Sequence, residues 1–165
     1  MGTEGSTVLS PLWRGLPPIA PSAVSGSASC ALPPRFEAVR TARRFTRTTL
    51  HQWGLSVLFD DVALVVSELV TNSMRYGLPD GHPAGPDAET PIRLHLMRWT
   101  SRLVCAVRDP SEESPVAGEA DASAECGRGL FLVESFSDTW GWHPLTGAVR
   151  GKVVWALFRL PRDRD

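Results

Sequence analysis

Ser67-Glu68-Leu69-Val70-Thr71-Asn72-Ser73-Met74-Arg75-Tyr76-Gly77 ends an apolar helical pattern and sets an acid and an amide four residues apart. The pattern predicts a helix from about Phe59 to Tyr76, with Asp60 or Asp61 near its start and Gly77 as its stop. Val62, Val65, Val66 and Leu69 form its core stripe. At about 100° per residue, Glu68 and Asn72 share a bordering stripe with Asp61 and Arg75. A carboxylate beside an amide oxygen suits octahedral Mg²⁺, which takes hard oxygen ligands and keeps several waters. Asn72 could ligate the ion without adding charge beside phosphates, and Glu68 could act as general base on a water or hydroxyl. The same two residues also fit the polar border of an ordinary amphipathic helix.

Two further segments bear on the same site. Val104-Cys105-Ala106-Val107-Arg108-Asp109 is an apolar strand ending in an aspartate. An unpaired carboxylate there is costly unless it finds donors. An adenine exocyclic amine is one such donor; a turn cap at Pro110-Ser111 is another use of the same oxygens. Gly127-Arg128-Gly129 precedes Leu130-Phe131-Leu132-Val133, placing glycine backbone at the start of an apolar helix, where N–H groups can hold phosphate oxygens. Arg128 could add a charge-assisted contact. A plain loop-to-helix junction has the same pattern. Acid–amide pair, strand-end aspartate and phosphate loop, in that order, point to an ATP-binding domain.

The rest of the chain frames these segments. Residues 1–27 are rich in Pro, Gly, Ser and Ala and read as an N-terminal arm, with Trp13 and Leu16 as docking points. Residues 28–161 form the domain and 162–165 a tail. Ser29 to Leu32 reads as a first strand, and Pro33-Pro34 as the start of a helix running to about His51 and ended by Gly54. Ile92–Trp99 and Leu103–Asp109 read as strands joined at Thr100-Ser101. Leu130–Phe136 reads as a short helix, and Thr139–His143 and Lys152–Leu160 as closing strands. Leu78–Thr90 and Pro110–Cys126 read as long loops, of a length expected of lids and binding loops. This order implies an α+β two-layer sandwich: a mixed, mainly antiparallel sheet with helices on one face.

Composition narrows the function. The chain has 165 residues, 42% hydrophobic and 21% charged, with a net charge of −1. One domain of that size buries roughly 70% of its unfolded surface. The charge balance is unlike the basic footprint of a nucleic-acid binder, so no direct nucleic-acid contact is expected. No apolar run approaches the ~20 residues of a membrane span. Cys30, Cys105 and Cys126 stand in no metal-ligand spacing and read as reduced thiols of a cytoplasmic protein.

Taken together, these segments resemble the Bergerat-type ATP-binding fold of gyrase, the heat-shock chaperone ATPases, histidine kinases and MutL. Ser67 to Gly77 resembles its N box; Val107-Arg108-Asp109-Pro110-Ser111 takes the place of the first glycine box, and Gly127-Arg128-Gly129-Leu130 the second. Gly151-Lys152-Val153-Val154-Trp155 resembles the last strand, with Val153 where threonine is frequent near the pocket. Tyr76 stands where histidine is common. The chain is most similar to the compact anti-sigma-factor serine kinases of actinobacterial type, over about Ser29 to Pro161.

The resemblance implies that Asn72 coordinates Mg²⁺, Glu68 is the catalytic base and Asp109 reads adenine. It further implies that Gly127, Arg128, Gly129 and Leu130 hold phosphates, and that Arg75 and Lys152 contact the nucleotide. The implied partners are a sigma factor and an anti-anti-sigma protein of STAS type, phosphorylated on serine or threonine, with a homodimer as the expected assembly. The alternative is a nucleotide-dependent protein-binding switch without phosphotransfer.

Overall fold

The computed structural model describes residues 24–76, 92–112, 115, 128–145 and 150–161. Within them the chain runs β1 (Val24–Leu32), α1 (Glu37–Gln52), a 3-10 turn (Ser56–Leu58), α2 (Phe59–Tyr76), β2 (Ile92–Trp99), β3 (Arg102–Asp109), α3 (Arg128–Phe136), β4 (Thr139–Pro144) and β5 (Lys152–Arg159). The tail, the arm up to residue 23, most of both long loops, Gly77, Cys126 and Gly127 lie outside the described residues.

The strands form one sheet in the order β1-β2-β3-β5-β4, and every pairing is antiparallel among the described residues. The chain leaves β3, crosses through α3 to the edge strand β4, and returns as β5 between them. This is the expected α+β sandwich.

Two boundaries differ from the sequence reading. β1 begins at Val24, so residues 24–27, read as part of the arm, pair with β2 through Val24↔Trp99 and Ser27↔Met97. Small residues carry no apolar period; backbone pairing with β2 makes this a strand. α1 begins at Glu37, not at the prolines. The residue before a proline is disfavoured in the helical region, so Pro33-Pro34 makes a turn, closed by Arg35 N–H to Pro33 O at 2.8 Å.

α1 buries Ala38, Ala42, Thr46, Thr49 and Leu50 and turns Arg40, Arg43, Arg44 and Arg47 to solvent. Its end is a Schellman motif. Gly54, at φ 70°, donates to His51 O at 3.1 Å, and Leu55 donates to Leu50 O at 2.7 Å. Trp53, at the same end, packs against β1, where a Cβ on Gly26 would meet its ring at 2.9 Å.

The main core lies between helices and sheet. α2 contributes Val62, Val65, Val66, Leu69 and Val70, all essentially without exposure. β2, β3 and β5 present Leu94, Leu96, Cys105, Val107, Val154 and Ala156 to it, and Trp140 and Trp142 of β4 pack against its edge. Strand alternation sends the intervening side chains to the opposite face of the sheet. There Met97 and Trp99 of β2, Val104 and Ala106 of β3, and Val153, Trp155 and Leu157 of β5 form a second buried cluster. None of the described helices contributes a residue to it.

Candidate functional site

Asp109 is the last residue of β3 and is 1% exposed. Three donors hold its carboxylate. Ser73 Oγ of α2 donates to Oδ2 at 2.8 Å. Lys152 Nζ of β5 donates to Oδ1 at 3.0 Å, and Ser111 N–H donates to the same oxygen at 3.0 Å. The Ser111 bond is the turn cap anticipated at Pro110-Ser111, an aspartate bonding the backbone two residues on. The other two bonds reach different elements, so the aspartate joins helix α2 to strand β5 as well as closing its own turn.

Strand register explains the lysine. Asp109 and Lys152 are direct partners across β3 and β5, and both side chains face the helices. Lys152 is 2% exposed, so charge meets charge away from water. The close approach also fixes Gly151. At φ 127°, its backbone passes so near β3 that a Cβ would lie 2.2 Å from Asp109 O. Only glycine fits without displacing the strand end.

Ser73 places the acid–amide pair. It follows Asn72 directly and continues the buried stripe of Val62, Val66 and Leu69, where a hydroxyl needs a partner. Glu68 and Asn72 are half-buried on the neighbouring stripe; Asp61 is exposed. Arg43 of α1 donates to Ser67 Oγ at 3.1 Å beside Glu68, and Ser67 Oγ donates to Ala63 O at 2.6 Å. α2 packs against both β3 and α3. The helix opened by the backbone of Arg128, Gly129 and Leu130 therefore stands beside the helix that carries Glu68 and Asn72. The Arg128 side chain, like Gly127, lies outside what is described.

Three expected pocket residues have distinct surroundings. Val153 is no substitute for a hydroxyl in the pocket: it is 1% exposed in the second cluster, on the opposite face of the sheet. Lys152 is the residue facing Asp109, so its ammonium is engaged by that carboxylate. Arg75 is exposed and lines a cavity of about 750 Å³ with Pro34, Phe36, Val39, Thr71 and Met74. That cavity takes in none of Glu68, Asn72 or Asp109. Ser73 is the Asp109 partner the sequence reading passed over; its signal was a hydroxyl at a core position of the helix.

The acceptor count at Asp109 is compatible with one further donor, such as the exocyclic amine of adenine. A carboxylate offers about four acceptor sites. Two on Oδ1 are used by Lys152 and Ser111 and one on Oδ2 by Ser73, which leaves one on Oδ2 for an exocyclic amine. An acid–amide pair and a helix N-terminus complete the candidate site. No group of three or more His, Cys, Asp and Glu side chains suited to a metal occurs among the described residues. No described helix is long and apolar enough to cross a membrane.

The fold is an α+β sandwich whose strand-end aspartate is tied to the helix that carries the acid–amide pair. The chain matches the family of the histidine kinase-like ATPase domain over residues 32–157 and belongs to it. Membership of that family implies that the chain binds ATP. No curated protein matches the chain.

Proposed function

We propose that this domain is a serine/threonine protein kinase that uses MgATP to phosphorylate a small anti-anti-sigma partner of STAS type, and that it sequesters a sigma factor when the unphosphorylated partner is absent. The observation that carries this reading is the Ser73–Asp109 hydrogen bond. It ties the helix bearing Glu68 and Asn72 to the aspartate suited to the purine. A base-reading group and a phosphate-working pair thus share one rigid unit.

Bound MgATP would supply the transferable γ-phosphoryl group and a cation's charge beside it. Asp109 Oδ2 accepts from the adenine amine and orients the base. Asn72 would offer its amide oxygen to Mg²⁺. The backbone N–H groups at the start of α3 would hold phosphate oxygens, as helix N-termini favour. Glu68 takes the proton from the partner's serine or threonine hydroxyl as the oxygen–phosphorus bond forms and ADP leaves. General base catalysis of this kind contributes roughly 10²–10⁴-fold. Cytoplasmic placement and a homodimer belong to the same reading.

Incubation with γ-labelled ATP and candidate STAS partners tests it. Label should appear on a partner serine or threonine, and Glu68→Gln should lower transfer by roughly 10²-fold or more while nucleotide still binds. Nucleotide binding without transfer to any partner would overturn the kinase and identify a nucleotide-dependent binding switch.

A further inference from the structure

We propose that the N-terminal arm, through residues 8–19, folds back across the outer face of the sheet and supplies the layer that covers its second apolar cluster. The cluster on β2, β3 and β5 is 0–6% exposed and lies on the side away from the helices. A sheet apolar on both faces needs a layer on each. The described helices all serve the other side, and Leu145 is the partly buried hydrophobic packed against the cluster among the described residues.

The composition of the remaining chain selects the occupant. Residues 77–91 offer Leu78 as their large aliphatic side chain, 113–127 offer Val116, and 146–149 offer Val149. The tail, Arg162 to Asp165, is charged throughout. Residues 1–23 hold Val8, Leu9, Leu12, Trp13, Leu16 and Ile19, against two charged side chains, Glu4 and Arg14. That is enough apolar surface to match the cluster, at little cost in buried charge.

Attachment favours the same segment. The arm joins the sheet at Val24, which pairs with Trp99, a member of the cluster. An extended chain advances ~3.3 Å per residue, so the twelve residues proposed reach about 40 Å. The distance to cover is smaller, since neighbouring strands lie about 4.8 Å apart. The arm's prolines suit an irregular strap with few backbone donors to satisfy.

A photoactivatable benzoylphenylalanine in place of Trp13, in the full chain, tests the placement without touching the core. Irradiation should give adducts within one chain, mapped by mass spectrometry to Met97, Trp99, Val153, Trp155 or Leu157. Adducts on the helix side of the sheet, adducts that join two copies, or no adducts would overturn the proposal. A second measurement uses full-length protein carrying Leu12→Ser, Trp13→Ser, Leu16→Ser and Ile19→Ser. Bis-ANS fluorescence should rise several-fold and amide exchange in β2, β3 and β5 should accelerate. No change in either would overturn it.

Discussion

Lys152 Nζ lies 3.0 Å from Asp109 Oδ1 with both side chains almost wholly buried, so the lysine that the sequence suggested for the nucleotide is the counter-ion of the strand-end aspartate. Removing one member of such a pair strands a buried charge and costs about 3–5 kcal/mol. Lys152→Met should therefore lower unfolding stability by about that much in urea titrations. In Lys152→Met/Asp109→Asn, the neutral amide keeps an acceptor for Ser73 or Ser111 and needs no counter-charge. The double variant should recover at least about 1 kcal/mol relative to the sum of the single effects. Strict additivity would show that the two groups do not sense one another.

Gly151 protects that pairing. Gly151→Ala forces a Cβ to within 2.2 Å of a backbone oxygen at φ 127°, where L side chains are strained. The backbone strain alone costs about 1–3 kcal/mol, and relieving the clash means moving the end of β3. Thermal unfolding should show a Tm lower by several degrees. Nucleotide affinity should fall with it, because the displaced residue is Asp109 itself. An unchanged Tm would contradict the close approach.

His95 gives the fold an acid limit. It is 3% exposed, and burial, with Arg93 and Arg108 nearby, lowers its pKa from 6.5 to about 4. The unfolded chain therefore binds the proton more readily than the native chain between those values. Its contribution is fully present above pH 6.5 and is lost progressively as pH falls toward 4. Across that window the stability slope should approach ~1.4 kcal/mol per pH unit from this one group. Urea titrations from pH 7 to 4 should show that slope, and His95→Gln should reduce it by about one proton.

How far the sequence could be read follows from which signals were local. α2 was legible because acidic residues in its first turn and a sustained apolar period pointed the same way, and α1's end was marked by Gly54. Asp109 could be picked out because a charge closed an apolar strand. Its partners could not, since the β3–β5 register that sets Lys152 opposite Asp109 is made by two segments 43 residues apart. The same register decides that Val153 faces away from the site and Lys152 toward it. Residues 24–28 lacked an apolar period because their strand is held by backbone bonds to β2. The unbroken apolar runs Leu103–Val107 and Val153–Phe158 already carried the signature of strands buried on both faces. A two-layer reading with helices on one side leaves half of those side chains unexplained.

Asn72 offers the sharpest check on the metal. A ligand that binds the native state raises its stability by about 2.7 kcal/mol at a hundred times Kd, which for this chain length is a Tm rise of roughly 5–10 °C. MgATP should give a shift of that order, and ATP with a chelator a smaller one. GTP should give little shift, because its O6 presents an acceptor to the remaining lone pair on Asp109 Oδ2, where adenine presents a donor. Asn72→Ala should remove the Mg²⁺-dependent part of the shift and keep the metal-free part, since Ser73 and Asp109 stay in place. The side chain is half-buried and the substitution favours helix, so the unliganded Tm should change little. An undiminished Mg²⁺ effect in Asn72→Ala would move the metal ligand elsewhere, and Glu68 would be the next residue to substitute.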